Sequence, residues 1–328
     1  MVSVEPLLEV KNLKAYYRTF FGVVRAVDGV SFELYRGEIL GIIGESGCGK
    51  SSLVQSIVLP KPPLYVVEGS VLLHENGRTV DLAKLDSKAR RSFLGTRISL
   101  VPQYVMDALP TVRRVRDVLR DIAREKNPDY EELRRLFIKR LRDVNLDKSV
   151  LDRYPLELSG GMRQRTILAL ATLFNPDVLI ADEPASALDL VSQRQVLELL
   201  RQLRDEKIVG SVIFITHDIA SVRQIADRVL VMYAGKIIEN GTIEDVVKEP
   251  LHPYTKVLIS SVPPLGVSYA ERRLEGLRGA PPSLLNPPSG CRFAPRCPYA
   301  FARCMKEEPP LFKTEGGRLV SCWLYVGR

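Results

Sequence analysis

No apolar run in these 328 residues approaches the ~18 that a helix needs to cross a membrane, so the chain is not expected to span one. The opening Met1-Val2-Ser3-Val4-Glu5-Pro6 lacks a basic start followed by an apolar core. That argues against a secretory signal and for a cytoplasmic chain. Basic helices with interleaved aromatics are missing too, so the net charge of +8 is not read as a nucleic-acid surface. The paired C-x-x-C spacing of common zinc sites is also absent. What the chain does have is 45% hydrophobic residues, enough for a sizeable core, and a length that suggests about two domains. Charge is uneven: residues 251 to 328 carry 11 Lys and Arg against 5 Asp and Glu. Four of the five cysteines lie in the same tail, and in a reducing compartment clustered cysteines point to metal more than to disulfides.

The sharpest motif is Gly44-Glu45-Ser46-Gly47-Cys48-Gly49-Lys50-Ser51, which fits G-x-x-x-x-G-K-[ST]. It follows the apolar run Ile39 to Ile43 and leads into a helix-like stretch, Ser52 to Val58, which is the strand, loop and helix context such a motif requires. Gly44, Gly47 and Gly49 let backbone N–H groups turn toward an anion, and the helix N-terminus favours negative charge. Lys50 can reach the β- and γ-phosphates of a nucleotide and Ser51 can ligate Mg²⁺. Cys48 is read as a small residue tolerated in the loop.

Before this loop, short strands are expected at Leu8 to Lys11, Ala26 to Leu34 and Glu38 to Ile43, with Arg36-Gly37 as a turn. Tyr16 and Tyr17 are expected between the first strand and the following loop, as core residues or as a platform for an adenine ring. Beyond Lys61-Pro62-Pro63, a hairpin is expected around Asn76-Gly77. Residues 87 to 95 read as a helix, Arg97 to Val101 as a strand, and 112 to 126 and 129 to 145 as helices of a compact insertion.

A second chemical centre lies at Val178-Leu179-Ile180-Ala181-Asp182-Glu183-Pro184. Four apolar residues in a row suit a parallel strand covered on both faces, and carboxylates at its end lie where open α/β sheets bind ligands. Asp182 suits Mg²⁺, and Glu183 suits polarising the water that attacks a γ-phosphate. Another buried-type strand, Ser211 to Thr216, ends at His217, one of only three histidines. His217 can donate to the γ-phosphate or to the attacking water; a capping or packing histidine is the alternative. Ser159-Gly160-Gly161 precede an apolar helix pattern and offer a hydroxyl and N–H groups at its start, either as a phosphate-facing surface or as a simple cap.

Taken in order, Gly44 to Ser51, Gln103, Leu158 to Arg165, Asp182-Glu183, Ser186-Ala187-Leu188-Asp189 and His217 resemble the ATP-binding cassette of ABC transporters, over residues 7 to about 250. The resemblance implies an α/β fold: a mixed sheet core with an antiparallel β subdomain and a helical subdomain near residues 104 to 160, making a nucleotide-binding domain over 1 to 250. It implies that ATP meets Tyr17, Gly44, Glu45, Ser46, Gly47, Cys48, Gly49, Lys50, Ser51 and Ser52, with Tyr17 stacked on adenine. Ser51, Gln103 and Asp182 would serve Mg²⁺, Gln103 linking that site to a transmembrane partner, while Lys50, Gln103, Glu183 and His217 would serve hydrolysis. Ser159, Gly160 and Gly161 would close on the opposite cassette's nucleotide, and Asp189 would cross the dimer interface. With one motif set per chain, a second ATPase subunit is implied. Ala185-Ser186 stands where relatives often carry Thr-Thr or Thr-Ser, and both residues are small. A soluble regulatory or nucleic-acid-handling ATPase is a second class, but a second cassette in the chain or a long coiled-coil insertion is missing.

The tail resembles the C-terminal extension of dipeptide/oligopeptide importer ATPases, on His252-Pro253-Tyr254-Thr255 and Gly290-Cys291-Arg292-Phe293-Ala294-Pro295-Arg296-Cys297-Pro298. Residues 251 to 328 hold 11 of the 22 prolines, so turns and ligands are expected to hold this segment more than helices. Cys291, Cys297, Cys304 and Cys322 suit a tetrahedral sulfur site. A four-iron, four-sulfur cluster is the expected occupant, with Zn²⁺ as the alternative, and Arg292, Arg296 and Arg303 are expected to offset its charge. A structural role is expected; a redox-sensing tail that gates the ATPase is a third class. The resemblance further implies a motor subunit at the cytoplasmic face of the membrane, peripheral to two transmembrane permease subunits. It also implies an extracellular substrate-binding protein, a second ATPase of different sequence, and no nucleic acid. Peptides are the expected cargo, with oligosaccharides and nickel chelates as alternatives.

Overall fold

The computed structural model describes residues 5–75, 77–103, 108–186, 188–261 and 279–326. The sequence readings at Met1 to Val4, Asn76 and Ala187 therefore fall outside the described residues, as do 104–107 of the expected insertion and 262–278 of the tail. In chain order the elements are strands β1 (Leu8–Thr19), β2 (Gly22–Leu34) and β3 (Ile39–Ile43), helix α1 (Lys50–Val58), strands β4 (Leu64–Glu75) and β5 (Arg78–Asp81), and helix α2 (Ser87–Phe93). Strand β6 (Ile98–Val101), helices α3 (Val115–Lys126), α4 (Tyr130–Asp143) and α5 (Gly160–Ala171), strand β7 (Val178–Asp182), helix α6 (Leu190–Asp205) and strand β8 (Ser211–Ile215) follow. The remainder is α7 (Ile219–Ile225), β9 (Arg228–Tyr233), β10 (Lys236–Thr242), α8 (Ile243–Lys248), α9 (Pro253–Ser260), α10 (Ala302–Lys306), β11 (Phe312–Lys313) and β12 (Leu319–Val320). These pack as two compact units, residues 1–90 with 216–328, and residues 91–215.

In the first unit, β2, β1, β4 and β5 form an antiparallel sheet in that order. Strand β1 corrects the sequence reading: Tyr16 and Tyr17 lie inside it rather than beyond a short strand. The reason is physical. Pairing shifts register between Val10 and Leu13, where Asn12 takes a φ of 45°, so the inside-outside alternation changes phase and the strand continues. Beside this sheet, β3 runs parallel to β9, and β9, β10, β12 and β11 pair antiparallel in succession. The tail thus adds two strands to the cassette's own sheet. Every residue of β3 is buried, which explains its unbroken apolar run.

In the second unit, β6, β7 and β8 are parallel, with Val101 opposite Ala181 and Ala181 opposite Phe214. All residues of β7 and β8 are buried. Helices α3 and α4 bury Val115, Leu119 and Ala123, and Leu133, Phe137 and Leu141, an apolar stripe at four-residue spacing; Arg140 is buried beside it and pairs with Asp143 at 2.7 Å. Asp129 caps α4 by accepting from the Glu132 amide at 2.9 Å.

Candidate functional site

In the first unit, β3 ends in the phosphate-type loop. At Gly49 the backbone has φ 109°, and a Cβ would run into the Ala26 carbonyl, so the residue before α1 must be glycine. Gly49 caps α1 without a side chain, leaving the helix's first N–H groups directed at the loop. Lys50 is only 6% exposed, and its ammonium is held by the carbonyls of Gly44 at 2.7 Å and Glu45 at 3.0 Å. Those acceptors lay it over the loop. Ser46 and Gly47 are exposed at the tip, while Ser51 and Ser52 are half-buried in the first turn of α1. The Tyr17 hydroxyl lies 3.1 Å from the Ser52 hydroxyl, which brings the aromatic ring beside that turn. Cys48 is buried, and burial pushes its thiol up, so it is an inert filler of the loop. His217 is exposed; Thr216, just before it, donates its N–H to the Ile42 carbonyl at 3.2 Å. This unit therefore gathers the loop, Tyr17 and His217 around the end of β3.

In the second unit, Asp182 is the buried last residue of β7. Glu183 follows at φ 47°, its amide donating to the Ile215 carbonyl at 2.8 Å, and the chain leaves the strand in a turn. A non-glycine residue in this left-handed region is uncommon, and the turn around it holds it there. The β6–β7 register sets Gln103 at the same strand end as Glu183. Ser159 caps α5, accepting from the Met162 amide at 3.3 Å, and a Cβ on Gly161 would meet open space. Asp189 caps α6 through the amides of Val191 and Ser192, both at 3.0 Å; its hydrogen bond with the Ser192 hydroxyl leads in holding its carboxyl below the usual range.

The tail is bound to the cassette at points that sequence reasoning missed. Leu251 and His252 donate their amides to the buried Glu239 carboxylate at 2.8 and 2.9 Å. The Glu45 amide donates to the Tyr254 hydroxyl at 2.8 Å, and the Glu45 carboxylate pairs with Arg296 at 2.8 and 3.1 Å. Separations of 209 and 251 residues left no local signal for either contact. The three arginines expected to balance a cluster are engaged elsewhere, which corrects that reading. Arg292 pairs with Asp28 and the Ala234 carbonyl, Arg296 with Glu45, and Arg303 with Glu307 while lying 3.7 Å over the Trp323 ring. Burial raises the Asp28 carboxyl, but Tyr16, Lys236 and Arg292 outweigh it and hold it below the usual range.

The four tail cysteines share one neighbourhood. Cys291 donates its amide to the Cys304 carbonyl at 2.8 Å, and each of Cys291, Cys297 and Cys304 opposes ionisation of Cys322. Burial is the first cause that pushes the thiols of Cys291 and Cys297 up, and Cys322 up to about 11. Among the described residues no three His, Cys, Asp or Glu side chains are arranged to hold a single metal ion. Cys304 and Cys322 are buried and Cys291 and Cys297 half-buried, all four as free thiols.

Comparison with known proteins agrees with these features. Residues 27–186 match the ABC transporter family, and residues 238–304 match the oligopeptide/dipeptide transporter C-terminal region. The dipeptide transport ATP-binding protein DppD of Bacillus subtilis is 43% identical over 98% of this chain and 95% of its own length. The oligopeptide transport ATP-binding protein OppD of the same organism is 40% identical over 99% of this chain and 90% of its own. The bacterial ABC transporter cassette MJ0796, solved as a dimer bound to ADP and Pi after hydrolysis, superposes with a TM-score of 0.62 at 25% identity, covering 72% of this chain and 98% of the cassette. With a phosphate loop whose lysine lies over its glycines, carboxylates at the end of a buried parallel strand, and relatives matched over nearly the whole chain, this protein belongs to the ABC transporter ATPases, which bind and hydrolyse ATP with Mg²⁺.

Proposed function

We propose that this chain is the motor of an importer that takes up di- and oligopeptides through separate membrane subunits. The observation that carries the reading is one chain holding both the phosphate loop, with Lys50 laid over it, and an extension matched to peptide transporters. The names of DppD and OppD supply the cargo class. Oligosaccharide and nickel-chelate uptake remain the alternatives on the same motor. Vesicles carrying the complete transporter should accumulate a labelled dipeptide with ATP, and Lys50→Ala should stop it. Accumulation of an oligosaccharide or nickel chelate with no peptide uptake would overturn the cargo.

The proposed nucleotide-binding domain is residues 1 to 250, with its helical part near 104 to 160, and the extension is 251 to 328. Gly44 to Ser52 cradle the phosphates, Lys50 meets the β- and γ-oxygens, and Tyr17 stacks on adenine. Ser51, Gln103 and Asp182 serve Mg²⁺, which neutralises charge developing on the transferred group. Glu183 polarises the attacking water and His217 donates to the γ-phosphate. Ser159, Gly160, Gly161 and Asp189 serve the nucleotide of a second cassette of different sequence. The exposed Leu190 and Val191 beside Asp189 support an interface there. Two permeases and an extracellular binding protein complete the assembly, with this chain peripheral at the cytoplasmic face; among the described residues no helix is long and apolar enough to cross a membrane. ATP binding closes the pair and hydrolysis reopens it.

Cys291, Cys297, Cys304 and Cys322 are proposed to hold a four-iron, four-sulfur cluster in a structural role, with zinc as the alternative. Iron and acid-labile sulfide analysis of purified protein tests this. Colourless protein with zinc and no sulfide would overturn it.

A further inference from the structure

Glu45 is out of place in a loop that binds phosphate, since a carboxylate there repels the ligand. The structure holds it at three points. Its amide donates to the Tyr254 hydroxyl at 2.8 Å, its carbonyl accepts from the Lys50 ammonium at 3.0 Å, and its carboxylate takes both terminal nitrogens of Arg296 at 2.8 and 3.1 Å. The Arg296 side chain is 6% exposed and is backed by the Tyr233 hydroxyl at 3.2 Å. A bidentate guanidinium fixes the direction of a carboxylate as well as its charge. Tyr233, Tyr254 and Phe293 pack ring against ring around it, with centroids 4.7 to 5.6 Å apart. Arg296 sits in the single turn Ala294–Arg296, where the Ala294 amide donates to Cys291 at 2.9 Å and the Cys297 amide to Ala294 at 3.3 Å.

We infer that Arg296 is a positioning residue for the phosphate loop, acting through Glu45, so that the cysteine-bearing extension sets the affinity of the nucleotide site. The inference rests on reading Gly44 to Ser51 as the ATP site. With Arg296 in place, the Glu45 charge is spent on the guanidinium and Lys50 stays available to phosphate. Without it, Glu45 competes with phosphate for Lys50 and adds its own repulsion. The extension is then a part of the catalytic apparatus, built from a distant stretch of chain, and not an appendage.

The test is ATP affinity and steady-state turnover of the full chain carrying Arg296→Gln, Arg296→Lys, Glu45→Gln and the pair Glu45→Gln/Arg296→Gln. Arg296→Gln should raise Kd and KM for ATP about tenfold with a smaller change in kcat, as expected for one charge-assisted contact. Arg296→Lys should fall between. The double variant should bind ATP more tightly than Arg296→Gln alone, since the uncompensated carboxylate is gone; a role in folding alone would not produce that rescue. Should Arg296→Gln not fold, Tyr254→Phe reads the same anchor and should weaken ATP binding about threefold. An Arg296→Gln or Tyr254→Phe protein that binds ATP as wild type does, or a double variant no better than the single, overturns the inference. Lys50→Ala separates the two levels: if it binds ATP like wild type, the ATP site itself is misread, whereas loss of binding there with Arg296→Gln unchanged overturns only the positioning role.

Discussion

His252 is 1% exposed, and its Nδ1 accepts from the Tyr254 amide at 3.0 Å to cap α9. Burial pushes its pKa down to about 3. In the unfolded chain it titrates near 6.5. The stability that the neutral ring supports is therefore complete above pH 6.5 and is lost as pH falls from there toward 3. Glu239, which burial raises, works in the opposite sense, so the comparison must be with His252→Asn, which keeps a capping acceptor. Denaturant unfolding should show the wild type losing about 1 kcal/mol relative to the variant between pH 7 and 5.5; a constant difference would mean that the ring is not held neutral. Gly49 gives a second prediction at this scale. Alanine there should destabilise the protein by more than about 1 kcal/mol and abolish ATP binding, measured by thermal melting and by nucleotide titration. The placement of Gly49 and Lys50 at the start of α1, and of Asp182 and Glu183 at the end of β7, is legible in the sequence because motif spacing and an unbroken apolar run encode local backbone geometry. That of Tyr254 and Arg296 is not, because their partner lies across the fold.

Among the elements, the parallel strands and the amphipathic helices were readable for one reason: burial on both faces writes a continuous apolar run, and burial on one face writes a stripe. Strand β3 and helices α3 and α4 follow those rules. Strand β1 does not, because its bulges shift the alternation out of phase. The short strands β11 and β12 carry too little pattern to be seen alone; β12 is a strand through its pairing with β10, and β11 through its pairing with β12. The apolar anchor of this seam is Leu251 with Val320 and Cys322, against which Tyr325 packs. Leu251→Ala should cost about 2–5 kcal/mol in denaturant unfolding, as a buried leucine does. It should loosen the extension before the cassette, which limited proteolysis would detect as early cleavage C-terminal to β10. Simultaneous loss of both parts would contradict a seam of that kind.

For the whole molecule, the sequence holds one phosphate loop and one Ser159-Gly160-Gly161 stretch, so the proposed closure on a nucleotide from both sides calls for a second chain. Family membership accounts for ATP hydrolysis, while the division of labour among Lys50, Glu183 and His217 is the proposal to be tested. Glu183 is the discriminating residue, because the account gives it the water and not the binding of ATP. In Glu183→Gln, assembled with its partner ATPase and assayed for single-site turnover, hydrolysis at this chain's own phosphate loop should fall at least about 100-fold. ATP should remain bound there and the closed pair should persist. Wild-type hydrolysis at that site, or loss of ATP binding together with turnover, would contradict the account.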